Sequence, residues 1–264
     1  MYTAETPEIK LLLVDGLNLV RRIHGAQQSV DKLDVRLLAS LRRAIREAQA
    51  SHLLMVMDGA GPSWRHQLYG GYKQGRKPMP ADLQQYLPLL LQRLAVEGVA
   101  LVEQPAVEAD DVIAAVVARL VHKPLGIRIL STDKGFLPLL SDQVEIRDHF
   151  RPFDWCPQAV RERFGVGPLQ LRDLWSLSGD SSNHIPGVSG IGPKRATELL
   201  GHYGSLHNVL AAAASIEGKV GQQLHAQRQQ ALLYRQLLEP NLNLPSVGNL
   251  KALRVDGRLR AQTG

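Results

Sequence analysis

Apolar residues fall along this chain in two regimes. In the first half they form short, strongly apolar runs, three of which lead into an acid. Ile9–Val14 ends at Asp15-Gly16, Leu53–Met57 at Asp58-Gly59, and Ile127–Leu130 at Ser131-Thr132-Asp133; Val99–Val102 is a fourth run. Runs of this length without alternation are those of strands buried on both faces, as in a parallel sheet. Between them, Leu33–Ala50 spaces Leu37, Leu38, Leu41 and Ile45 at a helical period with arginines opposite. Asp110–Val121 also has helical length and period. Strands alternating with helices predict an α/β fold. From about residue 157 only helical stretches remain, at Pro157–Phe164, Leu169–Leu177, Lys194–Tyr203 and Lys219–Leu238. The predicted organisation is a sheet domain over 8–156, a smaller all-helical domain over 157–245, and a tail over 246–264. Residues 1–7 are expected to be a loose leader, and the last ten residues to be loosely held.

Composition narrows the class. The 264 residues are 44% hydrophobic and 21% charged, as in a soluble globular protein. No apolar run approaches the roughly 18 residues of a membrane span, and no secretory signal pattern is visible at the N-terminus. A single cysteine, Cys156, excludes an internal disulfide or a cysteine-based zinc site. The expected compartment is the cytoplasm, and the default state a monomer. A net charge of +6 and a pI near 9.6 point to a polyanionic partner, with nucleic acid the first choice.

Against that basic background, Glu108-Ala-Asp-Asp111 places three carboxylates within four residues. In a parallel sheet, ligands gather beyond the carboxyl ends of the strands, where Asp15, Asp58 and Asp133 are expected. Any one of these aspartates is explained by helix capping or turn formation. All of them together beside Glu-Ala-Asp-Asp favour a hard divalent cation such as Mg²⁺, which takes oxygen ligands and needs only one or two direct carboxylates. The nine histidines are scattered without zinc or iron spacing.

Two basic features accompany the acids. Ser63–Lys77 carries four positive charges and no acid, with Tyr69 and Tyr72 interleaved, the composition of a strip that grips backbone and stacks bases. Gly70, Gly71 and Gly75 weaken a helix there, so the strip is expected to be mobile without ligand. Ile185–Ala196 carries glycines at 187, 190 and 192 ahead of a helix, followed by Lys194 and Arg195. Such a turn lets backbone N–H groups approach a phosphate at a helix N-terminus, and reads as a helix-hairpin-helix that recognises backbone rather than bases.

These motifs in this order resemble the 5′-nuclease family, the flap endonucleases and the 5′–3′ exonuclease domain of bacterial polymerase I. The resemblance covers roughly residues 9–240. It rests on Val14-Asp15-Gly16, Met57-Asp58, Tyr72-Lys73-x-x-Arg76-x-Pro78-Met79-Pro80, Glu108-Ala-Asp-Asp111, Ser131-Thr132-Asp133-Lys134, and Gly179-Asp180-Ser181-Ser182 through Gly192-Pro193-Lys194. The compact length is most like the family's stand-alone bacterial flap endonucleases.

The resemblance implies a PIN-like nuclease domain with a helical arch at about 63–82, and a helix-three-turn-helix domain that grips duplex DNA. By position, Asp15, Asp58, Glu108, Asp110 and Asp111 correspond to a first Mg²⁺ site, where Mn²⁺ can substitute. Lys73 and Arg76 correspond to arch residues on the scissile phosphate, and Tyr72 to a base-stacking residue. Gly190, Ile191, Gly192, Pro193, Lys194 and Arg195 fall in the duplex-binding hairpin. A K⁺ ion is implied on the backbone carbonyls of Leu177, Ser178, Pro186, Val188 and Ile191.

The second metal site departs from the family pattern. Gly135 stands where Asp-Lys-Asp is usual, and Asn183-His184 where Asp-Asn is usual, leaving Asp133 and Asp180 as a residual pair. The implied activity is Mg²⁺-assisted hydrolysis of 5′-flap DNA in replication or repair. Two alternatives are a DNA-structure-binding protein with weak cleavage, favoured by the reduced second site, and a PIN-type ribonuclease, disfavoured by the hairpin and the arch.

Overall fold

The computed structural model describes residues 9–151 and 153–260; the expected leader at 1–7 and the last four residues of the chain lie outside them. Six strands form one sheet: β1 (Ile9–Asp15), β2 (His52–Met57), β3 (Leu101–Glu103), β4 (Leu125–Leu130), β5 (Val144–Asp148) and β6 (Phe153–Trp155), in the order β3-β2-β1-β4-β5-β6. All neighbours are parallel except β5 and β6. The four expected strands are present, and β5–β6 extend the sheet beyond them.

Alternation within the central strands divides the core. Leu11, Leu13, Leu54 and Val56 face one side, while Leu12, Val14, Leu53, Met55 and Met57 face the other. The second side is covered by α1 (Gly16–Gln27), α2 (Leu33–Ala48) and, beyond the short α3 (Trp64–Leu68), α4 (Ala81–Val96). The first side is covered by α5 (Ala109–Leu120), with Val112, Ile113 and Val116 in contact with the sheet core.

The helical half comprises α6 (Pro157–Phe164), α7 (Leu171–Ser178), α8 (Pro193–Tyr203), α9 (Leu206–Ala211), α10 (Gly218–Ala226) and α11 (Arg228–Leu238). The expected single helix over 219–238 is broken at Gln227, whose side-chain oxygen accepts the Ser189 N–H at 3.1 Å. Leu171, Leu174, Trp175, Leu177 and Leu200 belong to the same buried cluster as α5 and the sheet. The two halves therefore share a continuous core.

The tail differs from its expectation. After α11 the chain returns across the sheet half, and a last helix, α12 (Gly257–Arg260), packs near α2. Leu253, Val255 and Leu259 are buried, the Val255 N–H donates to Ser51 O at 3.0 Å, and Arg254 bridges His52. Apolar residues spaced by two and four, too sparse to stand out in the sequence, hold this segment. No helix among the described residues is long and apolar enough to cross a membrane.

Candidate active site

The two Asp-Gly pairs at strand ends have a steric cause. A Cβ on Gly16 would lie 2.3 Å from Met57 Sδ, and one on Gly59 would lie 1.7 Å from Gln104 O. Glycine lets β1 turn directly into α1, and lets β2 end against the chain leaving β3, so both aspartates project from the same end of the sheet. Asp15 caps α1 by accepting the Asn18 N–H at 3.3 Å, and also accepts the Ser131 hydroxyl at 2.7 Å. Asp58 accepts the Ala109 N–H at 2.8 Å, tying β2 to the start of α5. Asp133 accepts the Gly135 N–H at 2.7 Å. These bonds use part of each carboxylate's acceptor capacity and leave lone pairs for other partners.

Asp15, Asp58, Asp110 and Asp133 line one open cleft of about 510 Å³, together with Lys73 and Arg76. Burial, partly countered by the Ser131 hydrogen bond, pushes the Asp15 carboxyl up to about 7, and the nearby Asp58 and Asp133 charges add to the shift. Burial likewise raises Asp110 well above its usual range, with Asp133, Asp15 and Asp58 contributing and Lys73 opposing. The charges of Asp58 and Asp133 oppose ionisation of Asp15 and Asp110, a repulsion that an added cation would relieve alongside the basic side chains that line the same cleft.

The other two acids of the expected first site are turned elsewhere. Asp111 is fully buried, accepting two bonds from Arg65, at 2.6 and 3.0 Å, one from Trp64 Nε1 at 3.0 Å and one from the Asn241 N–H at 3.0 Å. Adjacent residues on a helix point about 100° apart, which sends Asp110 into the cleft and Asp111 beneath it. Glu108 accepts from Ser63 Oγ, Arg65, Tyr72 OH and Lys73 Nζ at 2.9–3.1 Å. Burial pushes its carboxyl up, but Lys73 and Arg65 outweigh that and hold it below the usual range. Among the described residues, no three acid, histidine or cysteine side chains stand as a ready-made ligand set for one ion. Of the five acids expected at the first site, Asp15, Asp58 and Asp110 line the cleft together with Asp133, while Glu108 and Asp111 accept hydrogen bonds from protein donors.

The basic strip is also more ordered than its glycines imply. Residues 64–68 form α3, and 69–80 are turn and extended chain. Arg65 is buried, and besides its acid partners donates to the carbonyls of Leu237 and Glu239 at 2.7 and 3.2 Å. It thereby joins the strip, α5 and the end of α11. Tyr72, expected to stack on a base, is instead buried with its hydroxyl on Glu108. The Lys73 N–H donates to Asn183 O at 3.0 Å, fastening the strip to the helical half.

Asp180 is not in the cleft of the four aspartates. It is 3% exposed, and Lys134 Nζ lies 2.8 Å from its Oδ1. Burial alone would raise its carboxyl, but the Lys134 hydrogen bond and charge, with Ser182 and Asn183, hold it below the usual range. In the hairpin, Gly192 precedes Pro193 at the start of α8, and Lys194 and Arg195 edge an open surface depression there, with Arg195 paired to Glu198 at 3.0 Å. Ile191 is buried, so its side chain belongs to the core rather than to a binding surface. Leu177 O accepts the Val188 N–H, and Val188 O the Ile191 N–H; each carbonyl keeps a second lone pair.

Asn18, Arg21, Arg22 and Lys77 also line the cleft, and of these only Lys77, in the basic strip, stood out in the sequence. Three of them lie three, six and seven residues after Asp15, the spacing of one helix face, and that period was the available signal. Arg21 donates to the carbonyls of Lys77 and Pro78 at 3.1 and 3.2 Å, holding the far limb of the strip over α1.

Comparison with known proteins agrees with this geometry. Residues 10–165 match the 5′-3′ exonuclease N-terminal resolvase-like domain, and residues 166–260 match the 5′-3′ exonuclease C-terminal SAM fold. The chain is 41% identical over 250 residues to the flap endonuclease Xni of Shewanella loihica, covering 94% of this chain and 97% of that protein. It is 40% identical over 252 residues to that of Edwardsiella ictaluri, covering 95% and 99%. Among solved structures, a T5 5′-exonuclease with bound divalent zinc superposes with a TM-score of 0.78 at 22% identity, over 88% of this chain and 90% of that one. With both halves matched and the aspartates gathered where the sheet ends, the chain belongs to the 5′-3′ exonuclease family.

Proposed function

We propose that this protein is a structure-specific 5′ flap endonuclease that hydrolyses phosphodiester bonds of 5′-flap DNA with the help of Mg²⁺. The observation that carries the reading is the convergence of Asp15, Asp58, Asp110 and Asp133 on one cleft bordered by Lys73 and Arg76. The donor set fits Mg²⁺: all are hard oxygens, and an ion that keeps several waters needs only some of the four carboxylates directly. Such an ion would activate a water and neutralise charge on the phosphate. A K⁺ ion, implied by the family resemblance, would be held by the backbone carbonyls of Leu177, Ser178, Pro186, Val188 and Ile191, of which those of Leu177 and Val188 each already accept one N–H.

The chain's own side chains supply the rest. Arg76, Arg21, Arg22 and Lys77 form a cationic wall on which the phosphates of the 5′ strand can rest. Lys73, held by Glu108 at 3.1 Å, is placed to exchange that carboxylate for a phosphate oxygen and so offset charge developing on the reacting phosphorus. Hydrolysis adds water to the phosphorus and breaks one phosphorus–oxygen bond, leaving a phosphate and a hydroxyl end. Lys194, Arg195 and the N-terminus of α8 bind duplex backbone without reading bases. Asp110→Ala assayed on a 5′-flap duplex with Mg²⁺ tests the reading, with blunt duplex and single-stranded RNA as comparison substrates. Undiminished flap cleavage by the variant, or a preference for RNA in the wild type, overturns it.

A further inference from the structure

The hydrogen bond from the Lys73 N–H to Asn183 O, 3.0 Å long, joins two stretches of unusual backbone. Lys73 has a φ of 52°, and His184, which follows the accepting carbonyl, a φ of 53°. Both lie in the left-handed region, which few residues with a side chain adopt; histidine and asparagine do so several-fold more often than most. The turn that carries His184 is firmly built. Asp180 and Ile185 exchange backbone hydrogen bonds at 2.7 and 2.9 Å, and the Asn183 amide donates to the Asp180 carboxylate at 2.7 Å. Ile185 is buried with Tyr234 and Leu237 of α11, and Tyr69 of the basic strip packs against them. The strip around Lys73 is irregular chain, with glycines at 70, 71 and 75. In an extended chain, adjacent side chains point to opposite faces. Tyr72 and Lys73 instead both reach Glu108 Oε2, at 3.0 and 3.1 Å, a convergence that the left-handed backbone at Lys73 permits.

We propose that His184 is a positioning residue for the reaction: its left-handed backbone aims the Asn183 carbonyl at the Lys73 N–H, and this fixes Lys73 where its ammonium can meet the reacting phosphate. The inference rests on the role given to Lys73 above. A lysine ammonium rides on a flexible four-carbon stem, so the direction of its backbone decides the region it searches. Misplacing a reacting group by about 1 Å can lower a rate by about 10²-fold. The helical half then acts on the chemistry through the backbone of one turn, in addition to gripping duplex. The imidazole itself is not required, only a residue that accepts the left-handed conformation. Valine at 184 is β-branched and leaves that region, which turns the Asn183 carbonyl away and releases Lys73. Glycine adopts it freely.

Single-turnover cleavage of a 5′-flap duplex by saturating full-length enzyme with Mg²⁺, beside the dissociation constant for the same DNA in chelator, tests the inference. His184→Val is expected to lower the saturated rate by about 10- to 10²-fold, with a dissociation constant near that of the wild type. His184→Gly and His184→Asn are expected to cleave near the wild-type rate. His184→Ala should fall between glycine and valine, and carries the comparison if valine unfolds the turn. In a Lys73→Ala background, His184→Val should cost little further rate, because it acts through Lys73. A full saturated rate in both His184→Val and His184→Ala overturns the inference. So does a loss in His184→Gly as large as in His184→Val, or an equal loss from valine with and without Lys73. If Lys73→Ala alone cleaves at the full rate, the role of Lys73 in the proposed function fails, and this inference with it.

Discussion

Asp110 and Asp111 are neighbours in the chain and opposites in the fold. Asp110 opens onto the cleft among three other aspartates, with burial and repulsion driving its carboxyl upward. Asp111 is sealed under the cleft by Arg65, Trp64 and the backbone N–H of Asn241. The same division runs through the whole acidic set. Asp15, Asp58, Asp110 and Asp133 share one cleft, while Glu108, Asp111 and Asp180 each hold a protein cation at salt-bridge distance. Acids that await a cation and acids that already have one look alike in sequence. They differ in whether a lysine or arginine from elsewhere in the chain reaches them.

The largest effect is expected for Asp111→Ala. It leaves the Arg65 guanidinium buried without its main partner, and such a loss costs about 3–5 kcal/mol. Urea denaturation is expected to show that drop while Mn²⁺ binding to the folded protein persists. A variant of unchanged stability that no longer binds Mn²⁺ would return Asp111 to the ligand set. Asp110→Asn should do the reverse, lowering the single-turnover cleavage rate by about 10²–10³-fold, as expected for loosening the cation that stabilises transition-state charge. Its unfolding midpoint should not fall, because a repelling charge has been removed.

A pH measurement sharpens the same contrast. With its carboxyl raised from 3.8 to about 7, folded Asp15 holds a proton more tightly than the unfolded chain does. Its contribution to stability is then full below the unfolded value and is lost as pH rises toward about 7. Metal-free wild-type protein should lose stability across that window, and Asp15→Asn should show a shallower decline. An identical slope in both would remove Asp15 as a titrating group. The smallest effect is expected at the hairpin. Lys194→Ala should weaken binding to all DNA sequences alike and reduce the salt slope by about 1; a sequence-dependent loss in a filter or anisotropy assay would argue against backbone recognition.

Much of the fold was legible because burial imposes period on the chain. Strands β1, β2 and β4 announce themselves as strongly apolar runs, since they lie inside the sheet with both faces covered. Strand β5 was harder to see: Val144 and Ile146 alternate with Glu145 and Arg147, a pattern only five residues long at the edge of the parallel part. The cleft aspartates were legible because each ends a strand or opens a helix. Arg65 was not, because in sequence it is one more charge in a basic strip. Its burial depends on carbonyls at 237 and 239 and on acids at 108 and 111, which no local pattern connects to it. Tyr72 was misplaced for the same reason: an aromatic among cations suits both a nucleic-acid surface and a buried hydroxyl partner.

Sequence alone therefore determined the order of β1 to β4 and the change to helices near residue 157, the glycines that aim Asp15 and Asp58, and the family to which the chain belongs, because these follow from local spacing and residue type. Which carboxylates remain available for a cation was settled by packing between distant parts of the chain. That choice depends on whether Arg65, Lys73 or Lys134, dozens of residues from the acids they meet, is brought within hydrogen-bond reach. Long-range packing sets those distances, and at such distances a buried charge is either satisfied by the protein or left for an ion to satisfy.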